Sequence, residues 1–322
     1  MSKFTAAIVG LGQVGQGYDY YNSHDNLILT HATALQFHND FELIAAVDSS
    51  QKQRDRFNKK FSTPVFSNLK DLYLACNPDI VVIAVPTKHH FNVCLDVIKY
   101  SPKAIVLEKP VASNYSDAKE LLKISTDRGI QVSVNYLRRF NPALKSLKDI
   151  ITRKELGKIY KGVAWYTKGI ANNGSHFIDL FTWLLGDVTS IKVLNNNRNW
   201  SDTDPEPDLC IRFGCTDMYM LSGHEESFYM GKFELIGDKG VTFYEDGQPI
   251  DVHLSQNDKV YSGYKELVKD SQIENPSEIN MSFIYNNLFD HLVNGAQVVS
   301  NIDTATKTML TVQNILEKTK DV

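Results

Sequence analysis

The chain opens on an apolar run, Ala6-Ala7-Ile8-Val9, that passes without a break into Gly10-Leu11-Gly12-Gln13-Val14-Gly15. A strand followed at once by glycines at this spacing constrains the fold more than any other segment. The first glycine permits a tight turn, the second lets a pyrophosphate approach the backbone, and the third lets a helix pack closely on the strand. Alone the motif is weak, but the next apolar run, Leu43 to Val47, ends in Asp48, where a carboxylate can accept both ribose hydroxyls of an adenosine. The residues expected to hold a dinucleotide here are therefore Gly10, Gly12, Gln13, Val14, Gly15 and Asp48. Asp48 repels a 2'-phosphate, so NAD is expected over NADP. Ser49, Ser50, Lys52 and Arg54 stand close enough to hold a phosphate if their loop turns inward.

Further unbroken apolar runs follow at Ile80 to Val85, Ala104 to Leu107 and Gln131 to Val134, separated by helical stretches such as Phe91 to Lys99 and Ser116 to Asp127. Strands without alternation are covered on both faces, so this half is expected to be a doubly wound parallel sheet of the Rossmann type. The second half differs. After a helix over Pro142 to Lys154, alternating or β-branched segments at Ile159 to Thr167, Ser190 to Asn195, Leu209 to Phe213, Met218 to Gly223 and Lys232 to Ile236 predict an open, mostly antiparallel sheet in an α+β domain. One helix, Ser175 to Leu185, interrupts them, with Ser175 as its cap and Gly186 as its stop. The expected domains are residues 1–125, binding the dinucleotide, and 126–322, serving substrate binding and oligomerisation, with the helices of about 281–322 returning to the first domain. The size agrees, since a chain of 322 residues exceeds what one core usually serves.

Composition excludes several classes. Charged residues at 22% and a formal charge of −4 give no basic field, so nucleic acid is not an expected partner. No apolar run is long enough to span a membrane, and the first residues read better as a strand than as a leader, so a cytoplasmic protein is expected. The four cysteines are too few and too irregular for a disulfide framework. His24, His31, His38, His89 and Asp25 lack ligand spacing, and His224 with Glu225 and Glu226 reads as a strand end, so no metal is expected. From Gly17 to about residue 29 an extra polar and aromatic stretch lengthens the distance from the glycines to Asp48 well beyond the usual ~20 residues. It is either a surface loop or a lid at the strand's carboxyl end.

Chemistry enters with Glu108-Lys109-Pro110 after the run Ala104 to Leu107, Pro86-Thr87-Lys88-His89-His90 after another strand, and Gly174-Ser175-His176-Phe177-Ile178-Asp179 in the second half. With the glycine turn, their order and spacing resemble the Gfo/Idh/MocA oxidoreductase family over almost the whole chain. The resemblance implies NAD(P) binding at the glycine turn, with Pro86, Thr87, His90, Glu108 and Lys109 on the cofactor side. It implies Lys109 and His176 as the catalytic pair, the lysine on the reacting hydroxyl and the histidine as acid/base. Arg139, Tyr166, Lys168, Asn172 and Asp179 take substrate-pocket positions, Asp179 one helical turn beyond His176. Many family dehydrogenases carry an aspartate four residues before the histidine; this chain has Asn172, which hydrogen-bonds but takes no proton. The implied activity is hydride transfer between NAD(H) and a hydroxyl or keto carbon of a sugar, cyclitol or nucleotide-linked sugar, in the direction of bacterial surface-sugar biosynthesis. The family also implies a homodimer or homotetramer. The competing reading is a non-catalytic dinucleotide sensor of the same fold, for which Asn172 is the sole support.

Overall fold

The computed structural model describes residues 3–22, 27–196, 198–223 and 228–321, so Ser23–Asn26 of the added stretch and the group His224, Glu225 and Glu226 lie outside the described residues. The chain divides into two compact units, residues 1–140 with 278–309, and residues 141–277 with 310–322.

In the first unit, strands β1 (Phe4–Val9), β2 (Phe41–Val47), β3 (Val65–Phe66), β4 (Ile80–Ile83), β5 (Ala104–Leu107) and β6 (Gln131–Val134) run parallel in the order β3-β2-β1-β4-β5-β6. Every residue of β4 and β5 is buried, the physical reason for their unbroken apolarity. Apolar groups pack on both faces: Val81, Ile83, Val97 and Leu121 on one, Ile8, Val82, Leu35 and Leu288 on the other. Asp79 pins the amino ends of the interior strands β1, β4 and β5. Its Oδ2 accepts from the Thr5 amide at 2.9 Å and the Thr5 hydroxyl at 3.0 Å, and Oδ1 lies 2.9 Å from Lys103 Nζ. Because β6 pairs with β5, the unit runs to Phe140 instead of ending near residue 125. The helix Asn280–Asn294 also belongs here, contributing Met281, Ile284, Tyr285 and Leu288 to the core.

The second unit holds β7 (Ile159–Tyr166), β8 (Val188–Asn195), a two-stranded ribbon of β9 (Asn199–Ser201) and β10 (Asp204–Pro205), then β11 (Asp208–Phe213), β12 (Thr216–Ser222), β13 (Gly231–Gly237), β14 (Gly240–Glu245), β15 (Ile250–Asn257) and β16 (Lys265–Ile273). The main sheet has the order β16-β15-β14-β13-β7-β12-β11-β8 and is antiparallel except between β7 and β12. One face packs on the helices Pro142–Thr152 and Ser175–Leu185 through Leu144, Leu147, Phe177 and Phe181. Asn141 caps the first of these, its Oδ1 accepting from the Ala143 amide at 2.8 Å, with Pro142 in the first turn where no amide hydrogen is needed. The exposed pairs Phe228-Tyr229 and Tyr261 with Tyr264 lie outside the strands, in connections. Among the described residues no helix is long and apolar enough to cross a membrane.

Candidate active site

The carboxyl ends of β1, β4 and β5 bring the glycine turn, the segment Ala84–Thr87 and Glu108-Lys109-Pro110 to one end of the first sheet, beside the point where strand order reverses. The three glycines there differ physically. Gly10 has φ +100°, and a Cβ on it would stand 2.5 Å from the Ala84 carbonyl oxygen; on Gly15 a Cβ would stand 2.2 Å from the Gly10 oxygen. A Cβ on Gly12 would meet nothing within 4 Å, and its φ of −74° is open to any residue. Gly10 and Gly15 are thus required by the chain itself, whereas Gly12 faces open space. That is the cradle a pyrophosphate fills, and the residues present fit a dinucleotide. Gln13 is exposed and Val14 half-buried in the single turn Gln13–Gly17.

Asp48 ties this turn to β2. Its Oδ2 accepts from the Leu11 amide and its Oδ1 from the Ser50 amide, both at 2.8 Å, leaving further lone pairs for ribose hydroxyls. Arg54 is folded back, Nη1 donating to the Asp48 carbonyl at 2.6 Å and Nη2 to Gln51.

Pro86 is exposed and Thr87 half-buried, but His90 is buried, with Nδ1 at 2.7 Å from the Pro110 carbonyl and Nε2 at 2.9 Å from that of Val85. Its ring therefore clamps the two loops together. Lys109 is half-buried and joined to Pro110 by a cis peptide bond. Before it, Glu108 Oε1 accepts from Asn135 Nδ2 at 2.6 Å and lies 3.0 Å from His31 Nε2. Burial alone raises this carboxyl, but the hydrogen bond and charge of His31, the bond from Asn135 and the charge of Lys109 outweigh it and hold it below its ordinary value. His31 Nδ1 lies 2.7 Å from the Tyr285 hydroxyl. Sequence reading set His31 aside, and Tyr285 and Asn135 carried no signal; only the position of His31 just past the Thr30 cap of helix His31–Phe37 marked it.

In the second unit, His176 is the second residue of its helix and half-buried, and Asp179 is fully buried one turn on. Ser175 is the first helical residue and not the cap, its hydroxyl donating to the Asn172 carbonyl at 3.0 Å. A wide turn, Gly169–Gly174, delivers this helix. Asp204 on the ribbon holds it: Oδ1 accepts from the Ala171 amide at 2.8 Å and Oδ2 from the Asn172 amide at 3.0 Å. Glu206, paired with Arg198 at 2.7 Å, accepts from the Gly169 amide at 3.1 Å. Gly169, at φ +81°, is obligatory, since a Cβ would lie 2.1 Å from Asp204. Asn172 is exposed, its side chain donating to the Lys168 carbonyl at 3.1 Å, and Lys168 is half-buried at φ +67°.

Two expected substrate residues are placed otherwise. Tyr166 is fully buried, its hydroxyl donating to the Pro207 carbonyl at 2.6 Å, so the pocket position expected of it becomes a core position. Burial, then the charges of Glu206, Asp208 and Asp204, push its phenol well above the ordinary value. Arg139 is buried in the first unit with Nη1 at 3.4 Å from the Val299 carbonyl. Among the described residues no group of three or more His, Cys, Asp or Glu is arranged to hold a metal.

Residues 4–136 match the model of an oxidoreductase family with an NAD-binding Rossmann fold. Among curated proteins, the chain is 26% identical over 160 residues to D-glucoside 3-dehydrogenase of Escherichia coli, covering 49% of this chain and 42% of that one. It is 28% identical over 214 residues to scyllo-inositol 2-dehydrogenase (NAD(+)) of Bacillus subtilis, covering 59% and 58%. The chain thus spans about half the length of the curated relatives it matches. Among solved structures, the WlbA dehydrogenase of Bordetella pertussis in complex with NADH and UDP-GlcNAcA is similar at TM-score 0.77 and 16% identity, covering 99% of this chain and 96% of that one. An oxidoreductase of Desulfitobacterium hafniense reaches TM-score 0.81 at 16% identity, covering 98% and 95%. These two likenesses concern the fold. The glycine turn, the Glu108-Lys109-Pro110 tripeptide and the six strands of the first sheet all fall within residues 4–136, the part of the chain that matches the NAD-binding Rossmann fold of the Gfo/Idh/MocA oxidoreductase family.

Proposed function

We propose that the protein is an NAD(H)-dependent oxidoreductase acting on a hydroxyl or keto carbon of a sugar, cyclitol or nucleotide-linked sugar, in line with the activities named for its relatives. The observation that carries this reading is the turn at Gly12, open in front while Gly10 and Gly15 are closed by the chain's own atoms. NAD is favoured over NADP because the Asp48 carboxylate faces the turn through the Leu11 amide and Arg54 is held on the Asp48 and Gln51 oxygens.

The nicotinamide, when bound, supplies the hydride acceptor or donor. Lys109 holds the substrate oxygen with a cationic donor and stabilises developing alkoxide, while the neutral His176 imidazole takes the hydroxyl proton; in the reducing direction His176 returns it. Asn172 hydrogen-bonds substrate and takes no proton, and Lys168 and Asp179 are the remaining candidates for orienting it. The face of the second sheet carrying Val163, Trp165 and Phe243 is the surface through which a homodimer or homotetramer would form. Placement in surface-sugar biosynthesis is the finer form of the proposal, resting on the added stretch after Gly17 and on Asn172 in place of an aspartate.

The test is nicotinamide absorbance with a panel of sugars, cyclitols and nucleotide-sugars, using wild type, Lys109→Met and His176→Ala. Each variant is expected to bind NADH and lose most turnover, about 100-fold or more. Full activity in either removes that residue's assigned role.

A further inference from the structure

Four polar side chains meet behind Lys109 in the first unit, and nothing in the proposed chemistry yet uses them. His31 is fully buried, Tyr285 is fully buried, Asn135 is buried, and the Glu108 side chain is 13% exposed. Gathering such groups out of water is costly, and apolar residues of similar volume would serve a merely structural role at least as well. Each comes from a different element: His31 from helix His31–Phe37, Tyr285 from helix Asn280–Asn294, Asn135 from the end of β6, Glu108 from the end of β5. The hydrogen bonds that join the four converge on Glu108 Oε1 or on the imidazole that reaches it.

We propose that His31 is a positioning residue for Lys109, acting through the Glu108 carboxylate. The proposal rests on the role given to Lys109 above. A carboxylate only accepts, so His31 Nε2 carries the hydrogen and donates to Oε1. Nδ1 lies 2.7 Å from the Tyr285 hydroxyl, which aims the ring from behind, much as an acidic partner orients a catalytic histidine. Asn135 closes the same oxygen from the other strand, and its own amide donates to the Leu107 carbonyl at 2.9 Å. The Glu108 amide donates to the Ile83 carbonyl at 3.0 Å, so backbone and side chain of residue 108 are both fixed where the chain turns out of the sheet as Lys109.

The charges agree with the geometry. Glu108 remains an anion beside the Lys109 ammonium, and burial together with that anion raises the Tyr285 phenol well above its ordinary value, keeping it a neutral donor. The groups facing Glu108 are His31, Asn135 and Lys109, with Tyr285 behind the histidine. An anion held in this place favours the cationic lysine, the form the proposed chemistry needs.

The test needs neither cofactor nor substrate. The intact protein is pulsed with acetic anhydride across a pH series, digested, and the Lys109 peptide quantified by mass spectrometry, giving the titration of that one amine. His31→Leu is expected to lower the midpoint by about one unit, and His31→Gln, which keeps an N–H donor, to restore it. Glu108→Gln, which removes the anion itself, should lower it at least as far, and His31→Leu should add nothing in that background, since the two act as one path. An unchanged midpoint in a cooperatively melting His31→Leu protein overturns the proposal, as does a shift that persists in the Glu108→Gln background. Should His31→Leu fail to fold, Tyr285→Phe is read instead: a shift in the same direction supports the proposal and no shift overturns it. Failure to bind nicotinamide would overturn the proposed activity and leave this titration readable.

Discussion

Two glycines two residues apart, Gly10 and Gly12, do different work, and substitution separates them. Gly10→Ala drives a methyl into the Ala84 backbone at a left-handed φ and is expected to destabilise the fold by about 1–3 kcal/mol, read as a lowered denaturant midpoint. Gly12→Ala meets no chain atom and should leave that midpoint in place. Glu108 makes a pH prediction. Its folded carboxyl lies below the ordinary 4.5, so the stability it contributes is complete above that value and lost as pH falls through the lower folded one. Glu108→Gln should therefore be less stable than wild type near pH 6, with the gap closing toward pH 3. A gap independent of pH contradicts an ionised, stabilising Glu108. The motif glycines and Asp48 were legible because a turn or a strand end dictates their types locally, whereas Lys109 stood out only through the resemblance. His31, Tyr285 and Asn135 were not legible, because their roles depend on partners far along the chain.

Elements show the same division. Strands β4, β5 and β6 were readable from unbroken apolar runs, and β11 to β13 from alternation, because burial on two faces or one writes itself into sequence. β3, two half-buried residues, and β16, whose face pattern is largely exposed, leave no such trace. The added stretch after Gly17 is tied down in its described parts. Asp19 is buried and accepts from the Leu29 and Thr30 amides and the Thr30 and Thr33 hydroxyls, while Tyr20 donates to the Arg56 carbonyl at 2.8 Å under the Arg56 guanidinium. Its sequence suggested loop or lid, and composition does not reveal such anchors. The Gly169–Gly174 turn is held similarly from the β10 ribbon. Asp204→Ala strands two amides and is expected to cost about 1–3 kcal/mol. It should also lower turnover while sparing NADH affinity, since it displaces the start of the His176 helix and leaves the glycine turn alone. Weakened NADH binding with normal turnover would contradict that assignment.

At the scale of the molecule, both units are discontinuous in sequence, and this is what a linear reading captures least. The strand β6 and the return of a carboxy-terminal helix are legible from the apolar run Gln131 to Val134 and the helical pattern near residue 281, whereas the division at residue 140 and the limits 278–309 depend on long-range contacts that local pattern does not encode. The fold class was legible because each sheet repeats its own burial rule over many strands. The account's central claim is that the first unit binds a dinucleotide at the glycine turn. The most direct measurement is calorimetric titration of wild type and Gly12→Ala with NADH and NADPH, alongside their denaturant midpoints. Wild type should bind NADH more tightly than NADPH, and Gly12→Ala should lose about tenfold or more in NADH affinity at unchanged stability, a loss of roughly 1.4 kcal/mol. Equal NADH affinity in wild type and Gly12→Ala, or no binding by wild type, would contradict it.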